Sequence, residues 1–179
     1  MIGQGEDKEG QKSIEQAILE YVEALYGYAM SLARNPVEAE DLVQETYLRA
    51  IKGARRSMPT GDLKAWLFTI LRNIWINQRR RAQGSELLLG IDIEGLESES
   101  EWTAKNQQRP DTIFEQGLLR ENIRIALESL PEAFREVIVL RCMEGFSYSQ
   151  IAEILGCPVG TVMSRINRAR AELRRRLNK

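Results

Sequence analysis

Two arginines, Arg165 and Arg168, stand one helical turn apart near the C-terminal end of the 179-residue chain. A guanidinium group pairs with phosphate and forms bidentate hydrogen bonds with the guanine edge in the major groove of DNA. Thr161 and Ser164 precede them, where a hydroxyl group and the backbone N–H groups of a helix start can meet a phosphate. These four side chains are our first candidates for contact with DNA.

Two short helices must position these side chains. In the first, Ser147 and Gln150 have the spacing of a capping box, and the segment Gly156-Cys157-Pro158 stops the helix. In the second, apolar residues recur with the spacing of one buried stripe, namely Val159, Val162, Met163, Ile166, Ala169 and Leu173. Two helices joined by a tight turn form a helix-turn-helix, whose second helix enters the major groove.

An ordinary helical hairpin with a solvated basic face is the alternative interpretation. Two features favour DNA binding instead. The second helix starts with the small residues Gly160 and Thr161, and its two arginines lie on one face. The further run from Arg174 to Arg176, for which we expect no acidic partners, points the same way. The pattern therefore predicts a DNA-binding helix.

A second basic segment begins at Asp62, a predicted N-cap, and forms a helix over residues 63–81 that ends in three arginines. The aromatic residues Trp66, Phe68 and Trp75 cannot all share one face of this helix, and we expect Trp66 and Phe68 to be buried. Trp75 is then the aromatic candidate for contact with nucleic acid, since single strands bind surfaces that combine cations with aromatic rings.

Net charge alternates along the chain in blocks. Residues 1–48 carry −7, residues 49–81 carry +8, and residues 82–117 carry −6. Residues 118–146 are nearly neutral at −1, and residues 147–179 return to +5. Two basic blocks separated by an acidic stretch suit two nucleic-acid contacts joined by an acidic connector.

The composition argues against an enzyme and against a metal site. The chain has no histidine, no GxxxxGK[ST] phosphate-binding loop and only two cysteines, Cys142 and Cys157, which we expect to be small core residues. We therefore expect no catalytic residue, no metal ligand and no cofactor. The polar start of the chain is unlike a signal peptide, and no apolar run approaches a membrane span, which favours a cytoplasmic protein.

Helical periodicity dominates, so we predict an all-α protein: two small helical domains joined by an acidic flexible linker, with the helix-turn-helix in the C-terminal domain. The first domain should open with one helix from Ile14 to Arg34 and a second from Val37 to Ala54, separated by Asn35-Pro36. The predicted boundaries are a disordered N-terminal tail over residues 1–13, a first domain over 14–81, the linker over 82–112 and a second domain over 113–179.

Four segments together resemble the small two-domain class of bacterial extracytoplasmic-function (ECF) sigma factors of the sigma-70 family. They are NPVEAEDLVQETYLRA (35–50), DLKAWLFTILRNIWINQRRR (62–81), LPEAFREVIVLR (130–141) and GFSYSQIAEILGCPVGTVMSRINRARAELR (145–174). The resemblance identifies the first domain with sigma region 2 and the second with sigma region 4. It implies a subunit, not an enzyme, that binds core RNA polymerase, directs it to promoter DNA and helps to open the duplex.

The resemblance gives the second predicted helix a role in polymerase binding. It implies that Asp41, Leu42, Gln44, Glu45 and Leu48 dock on a coiled coil of the largest polymerase subunit. A helix face that mixes carboxylates with apolar side chains suits a basic, apolar-rimmed helical partner. From the residues alone, a surface helix with Leu42 and Leu48 in the core is favoured; the resemblance favours docking.

The helix over residues 63–81 matches the family segment that engages and melts the minus-ten promoter element. The resemblance implies that Asn73 lines the pocket for a flipped base and that the loop containing Arg56 borders this pocket. Trp75 would contact the exposed bases. Cationic side chains would hold phosphates, namely Arg72, Arg79, Arg80 and Arg81.

The second helix of the helix-turn-helix matches the family segment for the minus-thirty-five element. Its implied readers are Thr161, Ser164, Arg165 and Arg168. Asn167 stands where other members often carry histidine, so the resemblance leaves the preferred DNA sequence open.

The resemblance also implies an inhibitory partner and a role for the linker. Members of the group are held inactive by an anti-sigma factor. Within the group, the sequence most resembles members whose anti-sigma factor is redox-sensitive and contains zinc. The connector in this family threads toward the active-site and RNA-exit channel of the polymerase. There, the eight carboxylates between Ala82 and Gly117 would mimic RNA. The sequence supports equally well the alternative that these residues only form a solvated, flexible tether.

Two other functions compete with this interpretation. A stand-alone helix-turn-helix transcriptional regulator would bind duplex DNA tightly without the polymerase. A helical nuclease would need a cluster of carboxylates for a metal ion, whereas the acidic residues here lie at helix starts and in the linker.

Overall fold

The computed structural model describes residues 15–54, 61–82 and 122–177, and the regular structure in these ranges is helical, with no strand. In chain order the helices are α1 (Val22–Ala33), α2 (Pro36–Ala54), α3 (Leu63–Ala82), α4 (residues 122–128), α5 (Glu132–Ile138), α6 (Tyr148–Leu155) and α7 (Val159–Leu177). Residues 15–19 are also helical, and a π-helical turn, Val139–Met143, continues α5. The predicted tail, Arg56 and all of the predicted linker after Ala82 lie outside the described ranges. Within those ranges no helix is long and apolar enough to cross a bilayer.

The first predicted helix is divided into two. Between residues 15–19 and α1, the Tyr21 N–H donates to the Ile18 carbonyl at 3.1 Å, which is an i to i−3 bond. α1 ends before Arg34, whose left-handed backbone (φ 56°) returns its N–H to the last turn. The prediction of one continuous helix from Ile14 to Arg34 is therefore wrong, because the tighter hydrogen bond changes the helix pitch at this point.

Side-chain caps start α3 and α6, as predicted. Asp62 Oδ1 accepts from the backbone N–H groups of Lys64 (2.9 Å) and Ala65 (3.3 Å). Ser147 and Gln150 form a complete capping box, with the Gln150 N–H donating to the Ser147 hydroxyl at 3.2 Å and the Ser147 N–H donating to Gln150 Oε1 at 2.9 Å. Gln150 Nε2 also donates to Asp62 Oδ2 at 2.7 Å, so the two helix starts contact each other.

The helices before and after the predicted linker share one hydrophobic core. Three buried aromatic rings connect its two sides. Phe68 of α3 stacks on Tyr28 of α1 with ring centroids 5.0 Å apart, and it meets Phe146 edge-on, also at 5.0 Å. The N-terminal half (the described part of residues 15–82) and the C-terminal half (residues 122–177) are therefore in direct contact; we call this packing the closed arrangement.

The buried stripe of α7 is narrower than predicted. Val159 and Met163 are 41% and 47% exposed, so the prediction that both are buried is wrong. α7 packs mainly on α5 and α6. The fully buried members of the stripe are Val162, Ile166 and Ala169.

Cys142 is exposed, which corrects the expectation that both cysteines are core residues. It lies in the π-helical turn, where the Glu144 N–H reaches back five residues to the Val139 carbonyl at 3.1 Å. Such a turn accommodates one extra residue and rotates the side chains out of the α-helical register. Cys157 is partly buried.

Candidate nucleic-acid interface

The helix-turn-helix presents its predicted DNA-contacting residues on one face of α7. Ser164 and Arg168 are exposed, and Thr161 and Arg165 are partly exposed. Their i, i+3, i+4, i+7 spacing places them on one face, separate from the side chains that enter the core. The Ser164 hydroxyl donates to the Thr161 carbonyl at 2.9 Å, which leaves the guanidinium groups as the principal donors toward DNA.

The far end of α7 differs from the prediction. Glu172 is paired with Arg175 at 2.6 Å and with Arg176 at 2.7 Å, and the hydrogen bond from Arg175 lowers the pKa of the Glu172 carboxyl. The expectation of an arginine run without acidic partners is therefore wrong, because i, i+3 and i, i+4 spacing brings these side chains together. Two of the three arginines in this run are thus paired with a carboxylate of the same helix.

A second cationic face lies on α3, at Arg72, Trp75 and Arg79, which we call the covered stripe. Arg72 Nε lies 3.0 Å from Glu136 Oε1. Trp75 Nε1 donates to Glu132 Oε1 at 3.3 Å, and Arg79 pairs with the other oxygen of the same carboxylate. The Arg79 guanidinium also lies over the Trp75 ring, 5.5 Å from its centroid. The structure therefore joins three residues predicted for the minus-ten element to α5, with Trp75 and Arg79 on Glu132 and Arg72 on Glu136.

The other predicted minus-ten residues lie elsewhere. Asn73 and Arg80 are exposed on α3, and Arg56 falls outside the described ranges. Phe68 is fully buried, as predicted, whereas Trp66 is only partly buried. The closed arrangement therefore leaves the predicted base-reading amide open to solvent.

The predicted polymerase-binding residues of α2 divide between surface and core. Asp41, Gln44 and Leu48 are exposed, and Glu45 forms an ion pair one turn along the helix. Leu42 is fully buried, so its side chain fastens α2 to the core and cannot touch a partner. Four of the five side chains are thus placed for contact.

An apolar groove beside these residues was not predicted. It has a volume of about 670 Å³ and runs between residues 19–26 and α2. Leu19, which is 55% exposed, is one of the residues that line the groove. Apolar residues outside the core-facing stripe of each helix were the sequence signal that could have predicted this groove. Its lining combines apolar side chains with two carboxylates, namely Leu19, Val22, Glu23, Tyr26, Glu40, Val43, Gln44 and Tyr47.

Two protein-family models match the chain, one in each half. The family model Sigma-70 region 2 matches residues 17–85, and the model Sigma-70, region 4 matches residues 120–173. ECF RNA polymerase sigma factor EcfG of Rhodopseudomonas palustris is 39% identical over 161 residues, which are 90% of this chain and 83% of that protein.

Two solved structures are similar over nearly the whole chain. The sigma factor RpoE of Bartonella quintana, in complex with the anti-sigma factor NepR, is 34% identical with a TM-score of 0.67, over 93% of this chain and 98% of that one. CnrH, in complex with the cytosolic domain of CnrY, is 27% identical with a TM-score of 0.63, over 94% and 89%.

Two sigma regions in order, an all-α fold and an exposed helix-turn-helix define the class as an alternative sigma factor of the sigma-70 family. Within that class, the chain belongs to the ECF RNA polymerase sigma factors. The resemblance inferred from four sequence segments is thereby confirmed.

Proposed function

We propose that the chain binds core RNA polymerase through α2, places α3 on the minus-ten element and α7 on the minus-thirty-five element, and so directs initiation to specific promoters. The observation that carries this proposal is the capped helix-turn-helix with its cationic face toward solvent. The mixed acidic and apolar surface of α2 supports the polymerase contact, since it suits a basic helical partner. In this proposal residues 14–81 and 113–179 act as separate domains, joined by residues 82–112.

Run-off transcription tests the proposal most directly. Purified full-length protein and core polymerase are incubated with genomic promoter fragments, including the fragment upstream of its own gene. We expect start sites that core polymerase alone does not use, and co-elution of the chain with core polymerase in gel filtration. A stand-alone regulator would instead bind duplex promoter DNA tightly by itself and would elute apart from the polymerase.

Asn73→Ala should impair promoter opening and spare the closed complex. The exposed Asn73 amide is the proposed reader of a flipped base, and losing its paired hydrogen bonds should cost about 1–3 kcal/mol of opening free energy. Permanganate reactivity of thymines near the start site measures opening, and mobility shift measures the closed complex. Asn77→Ala removes the same exposed amide one turn further along α3 and is the matched control. Wild-type reactivity in Asn73→Ala would contradict the base-reading role.

An anti-sigma factor is the proposed inhibitor, acting in the cytoplasm where core polymerase is found. Support comes from the similar Bartonella quintana sigma factor, which is bound to the anti-sigma factor NepR. A zinc-containing, redox-sensitive inhibitor is proposed on the family resemblance alone. Metal analysis of the inhibitor co-purified with the full chain tests that finer point.

A further inference from the structure

The four residues of the predicted polymerase surface that reach solvent all line one groove, which has a volume of about 370 Å³. These residues of α2 are Asp41, Gln44, Glu45 and Leu48. The opposite wall of the groove is formed by α3, and Gln78 and Arg81 are part of it. A partner that touches all four side chains of α2 therefore lies against α3 as well.

Helices α2 and α3 run in opposite directions along this groove. The end of α2 packs on the start of α3, since a Cβ atom added to Gly53 would lie 3.1 Å from Cζ2 of Trp66. The start of α2, with Asp41, therefore lies beside the end of α3, with Arg81. Within the described parts of the chain neither of these two charged side chains forms an ion pair. Both charges are thus available to a partner that enters the groove.

The three consecutive arginines at the end of α3 lie on three different surfaces, because successive residues of a helix are about 100° apart. Arg79 belongs to the covered stripe and pairs with a glutamate of α5. Arg80 follows Asn73 by seven residues and shares its exposed face. Arg81 follows Ile74 by seven residues, and both line the groove beside α2. A single phosphate-binding face for all three arginines does not fit this arrangement.

The chemistry of the groove suits a protein helix better than DNA. Leu48 is 46% exposed, and Glu45 is partly neutralised by Arg49, whose Nε lies 2.7 Å from Glu45 Oε1. A helix fits if it places a basic residue against Asp41, an acidic residue against Arg81 and an apolar residue against Leu48. A DNA backbone fits poorly, because the carboxylates of α2 would repel its phosphates.

We propose that Gln78 and Arg81 of α3 complete the polymerase-binding site, so that a helix of the polymerase coiled coil sits in the groove between α2 and α3. This inference rests on the proposed function, since it takes α2 as a polymerase surface. It assigns Arg81 to the polymerase and Arg80 to promoter DNA, whereas the family resemblance gives both to phosphates. Helix α3 then contacts the polymerase with one face and the promoter with another.

Competition binding in the absence of DNA tests this assignment. Unlabelled full-length variants displace the fluorescein-labelled wild-type chain from core polymerase, and fluorescence polarisation measures the displacement. Arg81→Ala should bind about five- to tenfold more weakly than the wild type, because it leaves a charged group of the partner without its cation. Gln78→Ala should bind about two- to threefold more weakly, since a neutral hydrogen bond contributes less.

Arg80→Ala is the matched control. It removes the same charge from the adjacent exposed position, outside the groove, and should change the affinity for core polymerase less than about twofold. Circular dichroism confirms that each variant has the helix content of the wild type.

Run-off transcription at low template concentration separates a polymerase contact from a DNA contact. A large excess of Arg81→Ala over core polymerase should restore the wild-type transcript yield, because mass action overcomes a defect in association with the polymerase. The yield with Arg80→Ala should stay reduced at the same excess, because its defect lies in the contact between the assembled enzyme and the promoter.

Three results would overturn the two-helix site. In the first, Arg81→Ala displaces the labelled chain as well as the wild type does. In the second, Arg80→Ala weakens displacement as much as Arg81→Ala, so that net charge explains both. In the third, excess Arg81→Ala fails to restore transcription, which would place Arg81 on DNA. Failure of the wild-type chain to bind core polymerase would instead count against the proposed function itself.

Discussion

Replacing Phe68 with alanine should lower the free energy of unfolding by about 3–5 kcal/mol. The Phe68 ring is fully buried, and its centroid lies 5.0 Å from the rings of Tyr28 and Phe146. Deleting the ring loses its burial free energy and leaves a cavity bordered by both halves of the chain. Neither neighbouring ring can fill this space without leaving its own packing. Urea denaturation followed by circular dichroism measures the loss.

Met143→Ala is the control for this substitution. Met143 is 65% exposed, so truncating it should change the free energy of unfolding by no more than about 0.5 kcal/mol. A loss below about 1 kcal/mol for Phe68→Ala would contradict its position at the centre of a rigid core. A loss of that small size would also mean that the two halves are not held by this aromatic contact.

Arg165→Ala should remove about 1–3 kcal/mol of discrimination between the preferred minus-thirty-five element and an altered one, or about 5- to 150-fold in the ratio of transcripts. Arg165 stands near the start of α7, on the face that the helix-turn-helix presents to solvent. Binding to core polymerase should be unchanged, because α2 lies in the other half of the chain. Competitive run-off transcription from two templates measures the ratio, and gel filtration measures polymerase binding.

Arg174→Ala is the matched control, since it removes the same charge from an exposed position nine residues further along α7, on the opposite side of the helix. That distance is about 13.5 Å along the helix axis. A cation on the side away from the bases attracts DNA without distinguishing sequences, so the transcript ratio should stay near the wild-type value. An equal loss of discrimination in both variants would contradict the assignment of Arg165 as a base reader.

Local signals made much of the fold predictable. Asp62 starts α3, and Ser147 with Gln150 starts α6, because a cap acts on N–H groups only two or three residues away. Helical periodicity, which needs no knowledge of distant partners, gave the centre of the buried stripe of α7 at Val162, Ile166 and Ala169 but wrongly included Val159 and Met163. These features place the recognition helix, the best-defined part of the candidate site.

Contacts between residues far apart in the sequence could not be predicted from such local signals. Glu136 and Tyr28 are 108 residues apart, and the glutamates of α5 have the pattern of ordinary solvated charges on a short helix. The covered stripe was therefore predicted as an open DNA-binding face. The residues alone favoured Leu42 in the core, where it lies, and the family resemblance assigned it to a partner surface. A binding helix and a core helix share the same apolar spacing, so only the packing distinguishes them.

The caps that start α3 and α6 touch each other, and each is complete within its own helix. Asp62 satisfies its own helix with one oxygen and accepts from Gln150 with the other, so separation costs that helix none of its N-terminal bonds. The capping box of α6 is likewise complete without its neighbour. Loss of the bond between Gln150 and Asp62 would therefore leave the first turn of each helix intact.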